Sequence, residues 1–192
     1  MKIALDVDGV LADFNTSFIA LANAEGLGHH FPETADEITQ WYYSEREHIS
    51  NLFAKVIGNE SFWAGIPGYT DTPKPLPFNP VAYITARPIG SSVTAAWLTK
   101  QGFPEAPVYT VKEGEDKLKV LRDLGSPIFV DDKMETVIYL NSFPDIVCWV
   151  FDRGWNQGLD KRYMRIHNLS ELEGAIARDR ESRSKAAGSW LD

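Results

Sequence analysis

Asp6 and Asp8 stand one residue apart in "DVDGVLADF" (residues 6–14), where an apolar run ends and a glycine follows. On an extended chain this spacing puts both carboxylates on the same side, where like charges repel. A strand meeting a polar turn explains Asp8 and Gly9 as ordinary turn residues but leaves Asp6 without a reason. Two further apolar runs end in polar groups: "YITARP" delivers Thr85 and Arg87, and "IFVDDK" delivers Asp131 and Asp132. Four carboxylates sharing one crevice would repel by roughly several kcal/mol at an effective dielectric near 20. A hard cation offsets that repulsion, and Mg2+, which favours carboxylate oxygens, water and phosphate, suits the set. A phosphate in the same crevice would also need a positive partner. Lys117 sits in the first turn of an expected helix, where the helix dipole disfavours a cation, a local violation that suggests a functional residue. Lys112, just after the third apolar run, is the alternative.

The elements that must position these groups follow from hydrophobic pattern. Five β-branched, nearly continuous apolar stretches read as strands buried on both faces: 2–7, 81–86, 106–111, 126–131 and 145–151. Helical patterns lie between them at 12–25, 91–102, 116–125 and 133–143, ending in Gly or running into Pro. "SELE" at 170–173 has the form of a capping box opening a last helix. Alternating strands and helices predict an α/β fold, a three-layer α/β/α Rossmann-like doubly wound parallel sheet of about five strands. Ligands in such sheets bind beyond the carboxyl ends of the strands, where strand order reverses. Residues 27–79 break the alternation with a helix around 45–57, many aromatics and a Pro-rich connector. They read as a small helical cap, leaving 1–26 and 80–180 as the core and 181–192 as a polar tail.

The chain of 192 residues, 44% apolar and 24% charged, is long enough for one domain with a decorating insert. Its formal net charge of −8 argues against duplex nucleic acid as a partner, since that binding draws on Lys and Arg over phosphates. It leaves room for a small phosphorylated substrate in a locally positive pocket. No apolar run reaches the roughly 18 residues of a membrane span, and the opening residues lack a signal-peptide core. The single cysteine, Cys148, lies in the apolar run "DIVCWVF" and reads as a buried structural thiol. A cytoplasmic setting is expected.

"DVDGVLADF", "YITARP", Lys117 and "FVDDK" resemble, in order, the four motifs of the haloacid-dehalogenase-like (HAD) superfamily. The insert after the first motif is placed like that superfamily's C1 cap. Within the superfamily the chain is most similar to the 5'(3')-deoxyribonucleotidase family, through "DGVLADF", "SFWAGIPGY" and "VFDRGWN". The resemblance implies a Mg2+-dependent phosphomonoesterase with Asp6 as nucleophile and Asp8 as acid and base. It further implies that Thr85 and the N–H of Ala86 hold phosphoryl oxygens while Lys117 neutralises charge. Magnesium would rest on Asp6, the main-chain carbonyl of Asp8, and Asp131 or Asp132, with Asp132 the implied ligand. Phe14 matches a family position that lines the substrate pocket, and a nucleotide is the implied substrate. The chain departs from that family in carrying Ala86-Arg87 where Ser-Pro is usual, and in a lysine further from the aspartate pair.

Other residues have plainer readings. Arg87 can reach a phosphate as a fork or pair with a surface carboxylate. Aromatics at 41–43 and 62–63 can stack on a base or simply pack the cap. His29-His30 lacks a third ligand at sensible spacing and reads as a surface loop. A homodimer is left open.

Overall fold

The computed structural model describes residues 1–112, 114–158 and 162–188. Among them, strands β1 (Ile3–Leu5), β2 (Ala82–Thr85), β3 (Val108–Thr110), β4 (Ile128–Asp131), β5 (Val147–Phe151) and β6 (Arg165–Ile166) form one sheet. Their order is β3-β2-β1-β4-β5-β6 and every pairing is parallel. Parallel neighbours need crossover connections. Most are supplied by helices α4 (Ser91–Gln101), α5 (Gly114–Leu124) and α6 (Met134–Leu140), and a last helix α7 spans Leu172–Gly188. Before β2 come α1 (Phe14–Ala24), α2 (Arg46–Ala54) and α3 (Glu60–Gly65). The doubly wound α/β architecture expected from the apolar runs is present.

Alternation along the strands divides the core into two layers. Ile3, Leu5, Tyr83 and Val130 pack with Trp97 of α4 and with Leu172 and Ile176 of α7. Ala4, Ile84 and Phe129 face the opposite way, against Leu118 and Leu121 of α5 and Val137 and Leu140 of α6. The inner strands β1, β2, β4 and β5 are covered on both faces, which is why they read as continuous apolar runs. Strand β3, at the sheet edge, is only half-buried, contrary to the reading of 106–111. Each fully buried Leu or Phe contributes about 1.5–3 kcal/mol, so Phe129→Ala, at the centre of the second layer, would cost about 3–5 kcal/mol.

Three further details differ from the sequence reading. A sixth strand, β6, extends the sheet past β5; two residues are too short for a period to show. The last helix is not opened by a capping box at "SELE". Asn168 accepts from Ser170 N at 2.8 Å, a short 3-10 turn covers Leu169–Glu171, and α7 begins at Leu172. Finally, α7 carries helix through Gly188, well into the stretch read as a polar tail, while 189–192 lie outside the described residues.

Helix α1 packs with the insert more than with the sheet. Asp13 caps it, accepting from Thr16 N at 3.1 Å. Its Phe18 and Ala22 are buried against Phe31 and Leu52. Phe14 stacks on Phe18 at 5.0 Å and on Trp63 of α3 at 5.5 Å between ring centroids.

Candidate active site

The carboxyl ends of β1, β2 and β4 meet where the strand order reverses around β1. Asp6 directly follows β1, with its N–H donating to Val130 O of β4 at 2.9 Å, and Asp131 ends β4. By strand parity Asp6 sits on the face of Ala4, and Asp131 on that of Phe129. Both therefore point to the layer that holds α5. From α5 comes Lys117, 5% exposed, with Nζ 2.7 Å from Asp131 Oδ2 and 3.1 Å from Asp6 Oδ1. The first contact is a hydrogen bond. The second is an ion pair out of hydrogen-bond alignment, so buried Asp6 Oδ1 accepts no hydrogen bond. Lys112 lines the same cavity but makes neither contact, its main-chain N–H donating to Asp116 at 3.3 Å.

Asp131 has both oxygens committed, Oδ2 to Lys117 and Oδ1 to Lys133 N at 2.8 Å. Asp132 is held from the turn after β5. Trp155 Nε1 donates to its Oδ2 at 2.8 Å, and Asn156 Nδ2 to its main-chain O at 2.9 Å. On the other side of Asp132 lies Gly9 (φ 79°), where a Cβ would sit 2.2 Å from the carboxylate. Only glycine leaves room there, and the left-handed φ suits it as well.

Burial raises the Asp6 carboxyl to about 7, helped by Asp131 and Asp8 and opposed by the charge of Lys117. Asp132 is likewise pushed well above the carboxylate range, by burial first and then by Asp131 and Asp6. Burial works against the charge of Lys117, but Asp131 and Asp6 outweigh it and hold the ammonium above its ordinary value. One lysine against three buried carboxylates leaves the cluster short of positive charge. Asp6, Asp131 and Asp132 each offer an oxygen within 4.8 Å of the others, the only such group among the described residues. Asp6 Oδ1, buried with only the poorly aligned Lys117 ammonium beside it, is what a cation would satisfy. The donor set, carboxylates alone, suits a hard divalent ion such as Mg2+.

Two cavities open beside the cluster. One, of about 280 Å³, is lined by Asp6, Asp8, Thr85, Ala86, Lys117 and Asp132, among others. Its neighbour, about 200 Å³, is bounded by Phe14, Phe18, Trp41, Tyr43, Phe53 and Trp155. Asp8, Phe14, Trp41, Phe53 and Asp132 line both, so they are compartments of one site.

Arg87 reaches a carboxylate inside the site. It is 1% exposed and forks onto Asp8, with Nε 2.9 Å from Oδ2 and Nη2 2.8 Å from Oδ1. Thr85 is buried at the end of β2, where its Oγ1 accepts from Arg87 N at 3.3 Å. All residues singled out at strand ends thus converge. Sequence reasoning missed Trp155 and Asn156 as supports of Asp132, although both lie in "VFDRGWN". It also missed Tyr69, Phe18 and Phe53 as pocket walls; their spacing is that of ordinary core aromatics.

The histidine reading needs amending. His29 and His30 are exposed in a 3-10 turn, and His48 of α2 brings a third imidazole 3.9 Å from His30 between centroids. Successive rings lie close but tilted, at 43° and 31°, and they are not among the described groups whose ligand atoms converge on a metal position. Cys148 is buried and its thiol is pushed well above its ordinary pKa by burial, as an inert core residue should be.

Two solved structures share this architecture. A HAD-superfamily hydrolase of subfamily IA, variant 1, from Geobacter sulfurreducens PCA matches with a TM-score of 0.52 and 17% identity, over 90% of this chain and 97% of that one. A HAD phosphatase from Thermococcus onnurineus matches with a TM-score of 0.51 and 15% identity, over 92% of this chain and 98% of that one. The fold is that of the HAD-superfamily hydrolases. No family model matches the chain, and no curated protein matches it in sequence. No helix among the described residues is long and apolar enough to cross a membrane.

Proposed function

We propose that this chain is a divalent-metal-dependent phosphomonoesterase of the HAD superfamily, acting on a small phosphorylated substrate, with a nucleoside monophosphate the best fit. The observation that carries this reading is the meeting of Asp6, Lys117 and Asp132 beside Asp8, at the mouth of an aromatic compartment.

Asp6 attacks phosphorus in line, giving an aspartyl-phosphate. Asp8 protonates the leaving oxygen and then takes a proton from the water that releases phosphate. Thr85 Oγ1 and the N–H of Ala86 hold phosphoryl oxygens, and Lys117, anchored by Asp131, faces the developing charge. Asp6, Asp132 and the main-chain carbonyl of Asp8 would hold the cation. Asp131 is left to the lysine, because both of its oxygens are already engaged. Bound there, Mg2+ supplies charge neutralisation and orients the phosphoryl group.

The cap in this reading comprises α1 and the insert up to α3, since α1 shares its core with Phe31 and Leu52. This moves its start forward from the 27–79 boundary. The aromatic compartment, about 200 Å³, would stack a base between rings. Asn15 also lines it, with its Oδ1 accepting from Tyr43 OH at 3.0 Å.

A screen of nucleoside 5'- and 3'-monophosphates and sugar phosphates, with Mg2+ and with chelator, tests this. Turnover of nucleotides that chelator abolishes is expected. Faster turnover of sugar phosphates would overturn the nucleotide assignment, and no turnover of any ester would leave a ligand-binding module.

A further inference from the structure

We infer that Arg87 is the positioning residue for Asp8, fixing the oxygen from which the proton is delivered. This rests on the phosphatase reading above and deepens it.

The guanidinium is immobilised before it touches Asp8. Its carbon lies 5.4 Å from the ring centre of Trp63 on α3 and 4.9 Å from that of Trp97 on α4. Each indole is itself pinned: Trp63 Nε1 donates to Val56 O and Trp97 Nε1 to Ile66 O, both at 2.7 Å. The arginine side chain is fully buried, whereas that of Asp8 is 25% exposed. The pair thus has a locked donor and a carboxylate that still meets both cavities. Supports of this kind are what hold a reacting group to a productive geometry.

The hydrogen bonds also distinguish the two oxygens. Asp8 Oδ1 has Nη2 to itself at 2.8 Å and shares the single Nε–H, 3.1 Å away, with Oδ2, so it is the more heavily engaged oxygen. Oδ2 accepts only from Nε, at 2.9 Å, and keeps one site. Oδ2 is therefore the atom that carries the proton. When Asp6 bonds to phosphorus and the ester P–O bond breaks, the leaving oxygen takes the proton from Oδ2 and departs as the alcohol. When water then attacks phosphorus, Oδ2 takes its proton, the P–O bond to Asp6 breaks, and Asp6 returns as carboxylate with inorganic phosphate released. The fork spends Nε and Nη2 on Asp8, while Nη1 is buried with no hydrogen-bond partner.

The leaving group provides the test. An alkyl phosphate needs a proton on its departing oxygen, whereas p-nitrophenolate leaves without one. For Arg87→Gln, kcat/KM on the alkyl phosphate that the parent hydrolyses fastest should fall about 100-fold, and on p-nitrophenyl phosphate by less than about tenfold. Asp8→Asn should show the same skew, and the double variant should be no worse than Asp8→Asn alone. Arg87→Lys keeps the charge but not the fork, so it should be skewed as well. Equal falls on both esters, complete loss included, would mark Arg87 as structural or phosphate-binding and overturn the inference. Parent rates in Arg87→Lys would also overturn it, since charge alone would then suffice. A parent inactive on both esters would overturn the phosphatase reading itself, and this inference with it.

Discussion

Trp155 donates its indole N–H to Asp132 Oδ2 at 2.8 Å, from a turn that also ties Asn156 to the Asp132 main chain. This bond orients the carboxylate without using its other oxygen. Trp155→Phe keeps most of the ring's bulk and removes the donor. Supports of metal ligands typically matter 10–100-fold, so the variant should bind Mg2+ about 10–100-fold more weakly in calorimetric titration. Unchanged affinity would show that Asp132 is not a ligand or does not need this support.

Gly9 approaches Asp132 so closely that a Cβ would lie 2.2 Å from its carboxylate carbon. Gly9→Ala therefore has to displace Asp132 or the turn itself, and its φ of 79° adds strain. A loss of about 1–3 kcal/mol in denaturant unfolding is expected, together with loss of the stabilisation that Mg2+ confers. Gly26, also at positive φ but with open space around it, is the control: Gly26→Ala should cost stability and leave the Mg2+ response intact.

The metal-free protein should lose stability as pH rises. The Asp6 carboxyl is about 7 in the fold against 3.8 unfolded, so between those values the native state holds a proton that the unfolded chain has released. Its stabilising effect is full below about pH 4 and is lost as pH passes through 7. Asp132 acts in the same direction. Thermal melts in chelator from pH 5 to 8 should show Tm falling, and saturating Mg2+ should flatten or reverse that slope. A Tm that rises with pH in chelator would contradict the burial of these acids.

Lys117 and Lys112 separate by stability. Lys117→Met leaves Asp6 and Asp131 facing one another without a cation, and breaking a buried pair costs about 3–5 kcal/mol. Lys112, which pairs with neither, should tolerate the same change within about 0.5 kcal/mol. Equal costs in urea melts would show that the ion pairs of Lys117 do not hold the site together.

Where a residue's place depends on its own strand, the sequence carried it. Asp6, Thr85 and Asp131 each end or follow an apolar run, and a parallel sheet aligns such ends on one edge, so their convergence followed from pattern alone. Lys117 stood out because it opposed its helix dipole. Pairings across the fold were not legible. Arg87 finds Asp8 across 79 residues, and its clamp draws Trp63 from the insert and Trp97 from the core. No local spacing encodes that. Helix α1 was assigned to the core by its place after β1, whereas the choice of packing partner was made by Phe31 and Leu52. At "SELE" a good capping pattern lost to Asn168, two residues earlier, which already satisfies the Ser170 N–H.

The nucleophile can be tested directly. The parent protein, mixed with a phosphate-labelled substrate and Mg2+ and quenched in acid, should carry label on the peptide that contains Asp6, in amounts approaching the enzyme concentration. Asp6→Asn should carry none and turn over no substrate. Label elsewhere, or parent-rate hydrolysis by Asp6→Asn, would contradict an aspartyl-phosphate at Asp6.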